Sequence, residues 1–239
     1  MKASSTIDFS HFFGNNVTAF ITNRNADFTL PKDSLLLTPE QKAFLQKQIG
    51  PAAEGVKIFR QVHGNRVVCL EKEKNEPQNN DADGFVTRQK NLPLMVRTAD
   101  CLSIFLYDPK TKSIGLVHAG WKGTQKNIAA RAVLAMKKHF QANPPDIKVV
   151  LGPCIQSCCY EVGKEFKDIF PQETFQQGEQ FFLDLAQVNL HQLEDSGVDL
   201  KNVWDCGLCT SCEASLFSHR REGEKAGRML SVMMLKNLP

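Results

Sequence analysis

Two residues of types that bind metals or act in nucleophilic catalysis, Cys101 and His118, lie at the outer ends of two apolar runs. The intervening sequence Asp108-Pro109-Lys110-Thr111 is typical of a turn, so the two runs predict an antiparallel hairpin. A turn centred on its Pro-Lys bond places Cys101 opposite His118, with Cβ atoms about 4.5 to 5.5 Å apart. A thiolate and an imidazole at that separation can share a metal ion or form a nucleophile and base pair. The prediction depends on the register, because a slip of one residue puts the two side chains on opposite faces.

A third candidate is His63, which lies in the short connection 60–64 between two predicted strands and is followed by Gly64. Loops between strands can hold a ligand against a rigid frame. The residues alone leave open whether His63 belongs to a site or only to the loop.

The chain has eight cysteines. Its first 13 residues hold one lysine and no continuous apolar run, so we predict no signal peptide and expect a cytoplasmic protein with reduced cysteines. Cys206, Cys209 and Cys212 have the spacing of part of an iron–sulphur motif, but its fourth cysteine and following proline are missing. Three others could complete a cluster, namely Cys154, Cys158 and Cys159. We nevertheless expect these six to be packing residues or adventitious thiols rather than ligands of a second metal, and Cys69 to lie in the core.

The elements that would position the candidate residues are mostly strands. Runs rich in branched and aromatic residues predict strands at residues 17–22, 56–59, 66–70, 94–98, 102–107, 113–118, 147–151 and 229–235. Thr38 and Gln41 form a capping box that predicts a helix ending at Gly50. Apolar residues at helical spacing predict a second helix starting near Gly123 and a third around residues 183–193.

Strands joined by short turns, with few helices between them, indicate an α/β protein of the α+β type. We expect a mixed, largely antiparallel sheet covered by helices. The sequence has no repeat and no Pro/Gly/Ser linker, so we predict one domain over residues 1–239. It has no Gly-x-Gly-x-x-Gly or phosphate-loop motif, which argues against a dinucleotide or Walker-type site.

Composition and charge favour a small-molecule partner. Hydrophobic residues make up 42% of the 239 residues, which is typical of a globular protein. The 29 basic and 26 acidic residues leave a net charge of +3 with no long basic run, which argues against nucleic acid or a membrane surface as partner. No run of apolar residues approaches the length of about 18 residues that a transmembrane helix needs. The sequence leaves the oligomeric state open.

Five short motifs occur in order from about residue 60 to the C-terminus. They are Gln61-Val62-His63-Gly64, Thr98-Ala99-Asp100-Cys101, Val117-His118-Ala119-Gly120-Trp121, Gly152-Pro153 with Cys159-Tyr160-Glu161-Val162-Gly163, and Ser218-His219-Arg220-Arg221 with Gly227-Arg228. Their order and spacing closely resemble the YfiH family, also called the multicopper polyphenol oxidase or laccase-domain family. The chain departs from the family pattern at Lys122, where arginine is usual, and at Asp83-Gly84-Phe85, where a more aliphatic run is common.

The resemblance implies a single α/β domain with a metal site formed by His63, Cys101 and His118, which are then also the catalytic residues. It further implies phosphorolysis of purine nucleosides such as adenosine and inosine, deamination of adenosine, and copper-dependent oxidation of phenols. Two imidazoles and one thiolate leave the fourth tetrahedral position of zinc open, which is the pattern of a catalytic site. We therefore expect zinc as the cofactor, with copper as the alternative metal.

Phosphorolysis also needs cations for phosphate and a proton donor for the leaving base. The arginines linked to the motifs are the candidates for substrate binding, namely Arg60, Arg220, Arg221 and Arg228. His219 is a candidate proton donor, and Asp100, beside Cys101, is a candidate to orient a metal ligand. The expected partners are a nucleoside and phosphate.

Other functions use the same residues. Without metal, Cys101 and His118 could form the nucleophile and base of a hydrolase, and an activity on mischarged peptidoglycan precursors attributed to the family would suit this reading. A His2Cys set can also hold copper, but the chain has only six histidines and no methionine at a defined axial position, whereas multicopper oxidases need many more histidines. A pure binding module is the remaining class.

Overall fold

The computed structural model describes residues 4–30, 34–71 and 80–237. The α-helices of this part are α1 (Ser10–Phe13), α2 (Pro39–Ile49), α3 (Trp121–Gln125), α4 (Ile128–Phe140), α5 (Phe166–Ile169), α6 (Leu185–Asp195) and α7 (His219–Glu222). The strands are β1 (Thr6–Asp8), β2 (Val17–Thr22), β3 (Val67–Cys69), β4 (Gly84–Thr87), β5 (Leu94–Thr98), β6 (Leu102–Asp108), β7 (Ser113–Ala119), β8 (Lys148–Leu151), β9 (Glu161–Val162), β10 (Thr174–Gln177), β11 (Gln180–Leu183), β12 (Val203–Asp205) and β13 (Met229–Leu235). Among these described helices none has both the length and the apolar composition needed to cross a bilayer.

The strands form two larger sheets and one small sheet. The first is antiparallel, with the order β1-β2-β13-β5, and the second is mixed, with the order β12-β8-β6-β7-β4-β3. In the second sheet the outer pairs β12/β8 and β3/β4 are parallel and the inner pairs are antiparallel. The third sheet joins β10, β11 and β9 in antiparallel order. The α+β class with a mixed, largely antiparallel sheet is confirmed.

The two larger sheets stack face to face, and helices cover their outer faces. Side chains of β6 show the layering, because Phe105 and Tyr107 pack with residues of the first sheet, whereas Ile104 and Leu106 pack with α4 and α6. On the far side of the first sheet, Leu45 of α2 joins another apolar cluster. The alternation of side chains along a strand therefore lets the second sheet contribute to two cores.

Most predicted elements are present, with two exceptions. The segment 56–59 was predicted as a strand and is not one; Arg60 after it makes a single bridge to Asp81. The capping box of Thr38 and Gln41 is formed at the start of α2. The predicted second helix is divided into α3 and α4 by Asn127, whose φ of 60° is left-handed.

The register of the β6–β7 hairpin differs from the predicted one by two residues. His118 is paired with Ser103, because the loop consists of the four residues 109–112 rather than a turn centred on the Pro-Lys bond. The Asp108 carboxylate stabilises this longer loop by accepting hydrogen bonds from Lys110 N at 2.9 Å and Thr111 Oγ1 at 2.8 Å. Side chains alternate with a period of two, so the shift keeps Cys101 on the same face as His118.

Candidate active site

Three side chains that can ligate a metal converge where β5, β6 and β7 meet the 60–64 loop. The ligand atoms of His63, Cys101 and His118 all lie within 4.8 Å of one another. The two imidazole rings are 4.8 Å apart between centroids and nearly perpendicular, at 77°. The structure thus brings together the three residues that the sequence predicted as catalytic and metal-binding.

Gly120 provides the space in which these side chains meet. A Cβ atom at this position would lie 2.9 Å from His63 Cδ2 and 3.0 Å from Cys101 Sγ. Both distances are shorter than a normal contact, so any other residue here would displace the two candidate ligands. The glycine that follows β7 is therefore part of the geometry of the site.

The carboxylate of Asp83 holds both histidines in place. It is fully buried, and its Oδ1 lies 2.8 Å from Nδ1 of His118. The same carboxylate accepts hydrogen bonds from the backbone N–H groups of Val62, His63 and Gly64 at 3.3, 3.0 and 2.7 Å. Because Nδ1 of His118 is bonded to the carboxylate, Nε2 is the nitrogen left for a metal ion, as is usual for metal-binding histidines.

Asp100, which the sequence suggested for this orienting role, has different partners. Its carboxylate accepts hydrogen bonds from Thr210 Oγ1 and from the backbone N–H of Arg220, both at 2.6 Å. Its backbone has a φ of 89°. Asp100 therefore ties the segment before Cys101 to the loop after β12 and to α7. The orienting carboxylate is Asp83, which belongs to the segment that departs from the family pattern.

The thiolate of Cys101 and the imidazolium of His118 stabilise each other. Burial opposes ionisation of the Cys101 thiol, but His118 and His63 outweigh it and lower the pKa of Cys101 to about 6. Burial also opposes protonation of His118, but the Cys101 thiolate and Asp83 raise the pKa of His118 to about 9. Without metal, the two residues therefore form a thiolate and imidazolium pair between these two pH values.

Alkylation of the metal-free protein tests this pairing. Iodoacetamide reacts with the thiolate, so modification of Cys101 should rise with pH around a midpoint of about 6. Removal of the imidazole in His118→Ala should move the midpoint upward. Burial raises the pKa of Cys101, and the variant lacks the His118 cation that opposes this effect. Peptide mass spectrometry resolves Cys101 from the other cysteines. An unchanged midpoint in the variant would contradict the pairing.

The three candidate ligands open into a cavity of about 530 Å³, a size suited to a small molecule. Its walls come from the 60–64 loop, the end of β5, the loop after β8, and the region of α7. Besides the three ligands, the lining includes Gln61, Arg97, Thr98, Ala99, Asp100, Ile155, Tyr160, Leu185, His219, Arg220, Glu224 and Arg228. His219, the candidate proton donor, is thus on the cavity wall.

Only two of the four arginines that the sequence suggested for substrate binding, Arg220 and Arg228, line this cavity. The side chain of Arg60 is 68% exposed and pairs with Asp81 at 2.6 Å. The guanidinium of Arg221 is used internally, by the carbonyls of Thr210 and Ser211 and by the carboxylate of Glu222. The structure therefore places neither the Arg60 guanidinium nor the Arg221 guanidinium on the wall of this cavity.

Arg97 is a cavity residue that the sequence analysis missed. It lies on β5, and within the described residues its guanidinium has no hydrogen bond or ion pair. Burial and the nearby positive charge of Arg228 lower the pKa of Arg97. Arg228 Nη1 donates to the carbonyls of Ala226 and Gly227, and in the described part of the chain neither guanidinium has a carboxylate partner. Two such neighbouring cations favour an anionic ligand. A charged residue directly after the apolar residues 94–96 of a predicted strand was the pattern that could have revealed it.

The protein is thus an α+β protein of two stacked sheets with outer helices, and three side chains that can ligate a metal lie beside a cavity lined by arginines. It belongs to the family described as multi-copper polyphenol oxidoreductase laccase, whose model matches residues 25–236. The YfiH-type resemblance of the motifs is thereby confirmed.

Individual relatives agree with this assignment. The chain is 39% identical over 165 residues to a Bacillus subtilis protein named purine nucleoside phosphorylase YlmD, a match covering 64% of this chain and 59% of that protein. It is 35% identical over 175 residues to a purine nucleoside phosphorylase of Aquifex aeolicus, covering 73% and 81% of the two chains. The crystal structure of Bacillus licheniformis YfiH superposes with a TM-score of 0.86 at 30% identity, covering 98% of both chains.

Proposed function

We propose that this protein is a zinc-dependent purine nucleoside phosphorylase. It would convert adenosine or inosine and phosphate to the free base and ribose 1-phosphate, and would also deaminate adenosine. The observation that carries the proposal is the open His63, Cys101 and His118 cluster at the wall of a cavity with three arginines. The names of the relatives support the choice of substrate.

The donor set fits zinc. His63, Cys101 and His118 would supply two imidazole nitrogens and one thiolate, and Asp83 would hold His118 through Nδ1. Three protein ligands leave one position for water or substrate, as in catalytic zinc sites. Bound there, zinc would act as a Lewis acid and lower the pKa of a bound water to about 7. Copper is the alternative metal, although no methionine is among the described residues that line the cavity.

In phosphorolysis, a phosphate oxygen forms a bond to C1′ of the ribose while the bond from C1′ to the purine nitrogen breaks. Arg97 and Arg228 would hold the phosphate, with Arg220 at the same wall. His219 would donate the proton that the leaving base takes up. In deamination, water replaces the C6 amino group and ammonia leaves.

Replacement of Arg97 should weaken phosphate binding. A hydrogen bond to a charged group contributes about 1.5 to 3 kcal/mol, so Arg97→Ala should raise KM for phosphate by about 10- to 100-fold. The KM for the nucleoside should change much less. Arg60→Ala is the matched control, because Arg60 pairs with Asp81 outside the cavity and should leave KM for phosphate unchanged. Equal effects of the two substitutions would contradict the assignment of Arg97.

Incubation of the purified protein with inosine or adenosine, with and without phosphate, tests the proposed function. We expect base and ribose 1-phosphate only when phosphate is present, and inosine from adenosine in either case. Chromatography separates the products, and Cys101→Ala is the control. Product levels no higher than those of the control would contradict the proposal.

A second candidate function is a metal-free cysteine hydrolase. It is favoured by the lowered pKa of Cys101, about 6, beside a protonated His118. Metal analysis distinguishes the two functions. Full catalytic activity in protein that lacks zinc and copper would favour the hydrolase.

We also propose a cytoplasmic location and small-molecule partners, nucleoside and phosphate, rather than nucleic acid or a membrane. All eight cysteines are free, which suits a reducing compartment. Fractionation of cells that express the tagged chain tests the location.

A further inference from the structure

A second group of thiols lies away from the His63 cluster, where the loop after β8 meets the loop after β12. Sγ atoms of Cys158, Cys159, Cys209 and Cys212 all lie within 4.8 Å of one another. The separations are 3.8 Å for Cys158 and Cys159, 3.7 Å for Cys158 and Cys212, and 3.4 Å for Cys159 and Cys212. Tetrahedral zinc with bonds of about 2.3 Å to sulphur places its four sulphurs about 3.8 Å apart. The group therefore has nearly the dimensions of a tetrathiolate site.

The backbone around Cys209 is arranged to accept a thiolate. The Gln156 N–H points at Cys209 Sγ over 3.5 Å. The backbone N–H groups of Ser211 and Cys212 also lie within hydrogen-bonding reach of this sulphur. The two loops are joined by backbone hydrogen bonds between Cys154 and the 208–210 segment. The four thiols thus come together without a disulfide bond.

Two neighbouring cysteines, Cys154 and Cys206, do not belong to this group. The thiol of Cys154 is buried in the core and accepts a hydrogen bond from Gln156 Nε2 at 3.3 Å. Cys206 packs against the apolar cluster between the two sheets. The expectation that these cysteines are packing residues therefore fits Cys154 and Cys206, whereas the other four thiols converge on one another.

We propose that Cys158, Cys159, Cys209 and Cys212 bind one zinc ion in a closed tetrathiolate site that is separate from the His63, Cys101 and His118 cluster. Binding would form four zinc–sulphur bonds and release the thiol protons to solvent, with no change in oxidation state. Four sulphur ligands leave no position for substrate, so the role is structural. Sulphur-only tetrahedral sites favour zinc among non-redox metals.

The position of the site suggests what it stabilises. Arg220 Nη1 donates a hydrogen bond to the carbonyl of Cys159 at 3.2 Å, and Thr210 Oγ1 donates one to Asp100 at 2.6 Å. Asp100 in turn receives the backbone N–H of Arg220 and precedes Cys101. Zinc in the tetrathiolate site would therefore fix the wall of the cavity that carries Arg220. This site does not depend on the proposed function.

Zinc quantitation on full-length protein purified anaerobically under reducing conditions tests the proposal. We expect two zinc ions per chain in the wild type, one in His63→Ala, and one in Cys212→Ser. Cys206→Ala is the matched control on the same loop and should retain two. Equal zinc content in wild type and Cys212→Ser would overturn the proposal, as would iron at these thiols.

Cobalt substitution in the His63→Ala background isolates the new site. Cobalt(II) should give the thiolate charge-transfer and tetrahedral ligand-field absorption of a tetrathiolate centre, and Cys212→Ser added to this background should abolish it. The second variant should still fold, as judged by its circular dichroism, because Cys212 is exposed. Absence of the cobalt spectrum from folded His63→Ala protein would contradict the site and leave the phosphorylase proposal unaffected.

Discussion

Asp83→Ala is expected to destabilise the protein and to abolish metal binding at the His63 cluster. The substitution removes the partner of His118 Nδ1 and leaves three backbone N–H groups of the 62–64 loop without an acceptor. Loss of one partner from a buried charged pair costs about 3 to 5 kcal/mol in the free energy of unfolding. Urea denaturation of the metal-free protein measures this cost.

Asp83→Asn separates the two roles of this carboxylate. The amide oxygen can still accept hydrogen bonds from the loop, so most of the stability should remain. The amide lacks the negative charge that favours protonated Nδ1, so zinc affinity should fall by about 10- to 100-fold. Wild-type zinc affinity in folded Asp83→Asn protein would contradict the role of Asp83 in holding His118.

Cys101→Ala should remove the proposed phosphorolysis almost completely. The substitution deletes the only thiolate ligand of the His63 cluster and the partner that raises the pKa of His118. Loss of a group that stabilises charge in a sheltered site lowers kcat by about 100- to 1,000-fold. Steady-state kinetics with inosine and phosphate measures the effect.

Cys69→Ala is the matched control for Cys101→Ala. Cys69 lies on β3 and is half-buried, and burial raises the pKa of its thiol to about 11. The control should keep wild-type kcat, because Cys69 belongs to neither group of converging ligands among the described residues. Activity of Cys101→Ala equal to that of Cys69→Ala would show that Cys101 has no part in the reaction.

The β6–β7 hairpin shows why the sequence could predict which side chains are neighbours without predicting the strand register. The two apolar runs and the turn sequence between them were sufficient to pair β6 with β7 and to put Cys101 on the face of His118. The side chain of Asp108 lengthens the loop to residues 109–112, and this local hydrogen bonding leaves no periodic pattern in the sequence. The two-residue shift preserved the face, so the prediction of neighbouring side chains survived.

Contacts between distant segments were the part that the sequence could not predict. Asp83 precedes β4, and no local pattern relates its carboxylate to a loop about 20 residues earlier. Cys158 and Cys212 are 54 residues apart and meet only because β8 and β12 are neighbours in the second sheet. Strand order therefore decided which cysteines cluster and which remain in the core.

The most direct test of the central claim follows phosphate-dependent release of base from inosine during metal removal and return. The protein is assayed as purified, after chelation, and after addition of zinc or copper, with metal content measured at each stage. We predict that chelation abolishes the activity, that zinc restores it in the wild type, and that zinc does not restore it in His63→Ala. Full activity in metal-free protein, or restoration of the His63→Ala variant to the wild-type rate, would contradict the account.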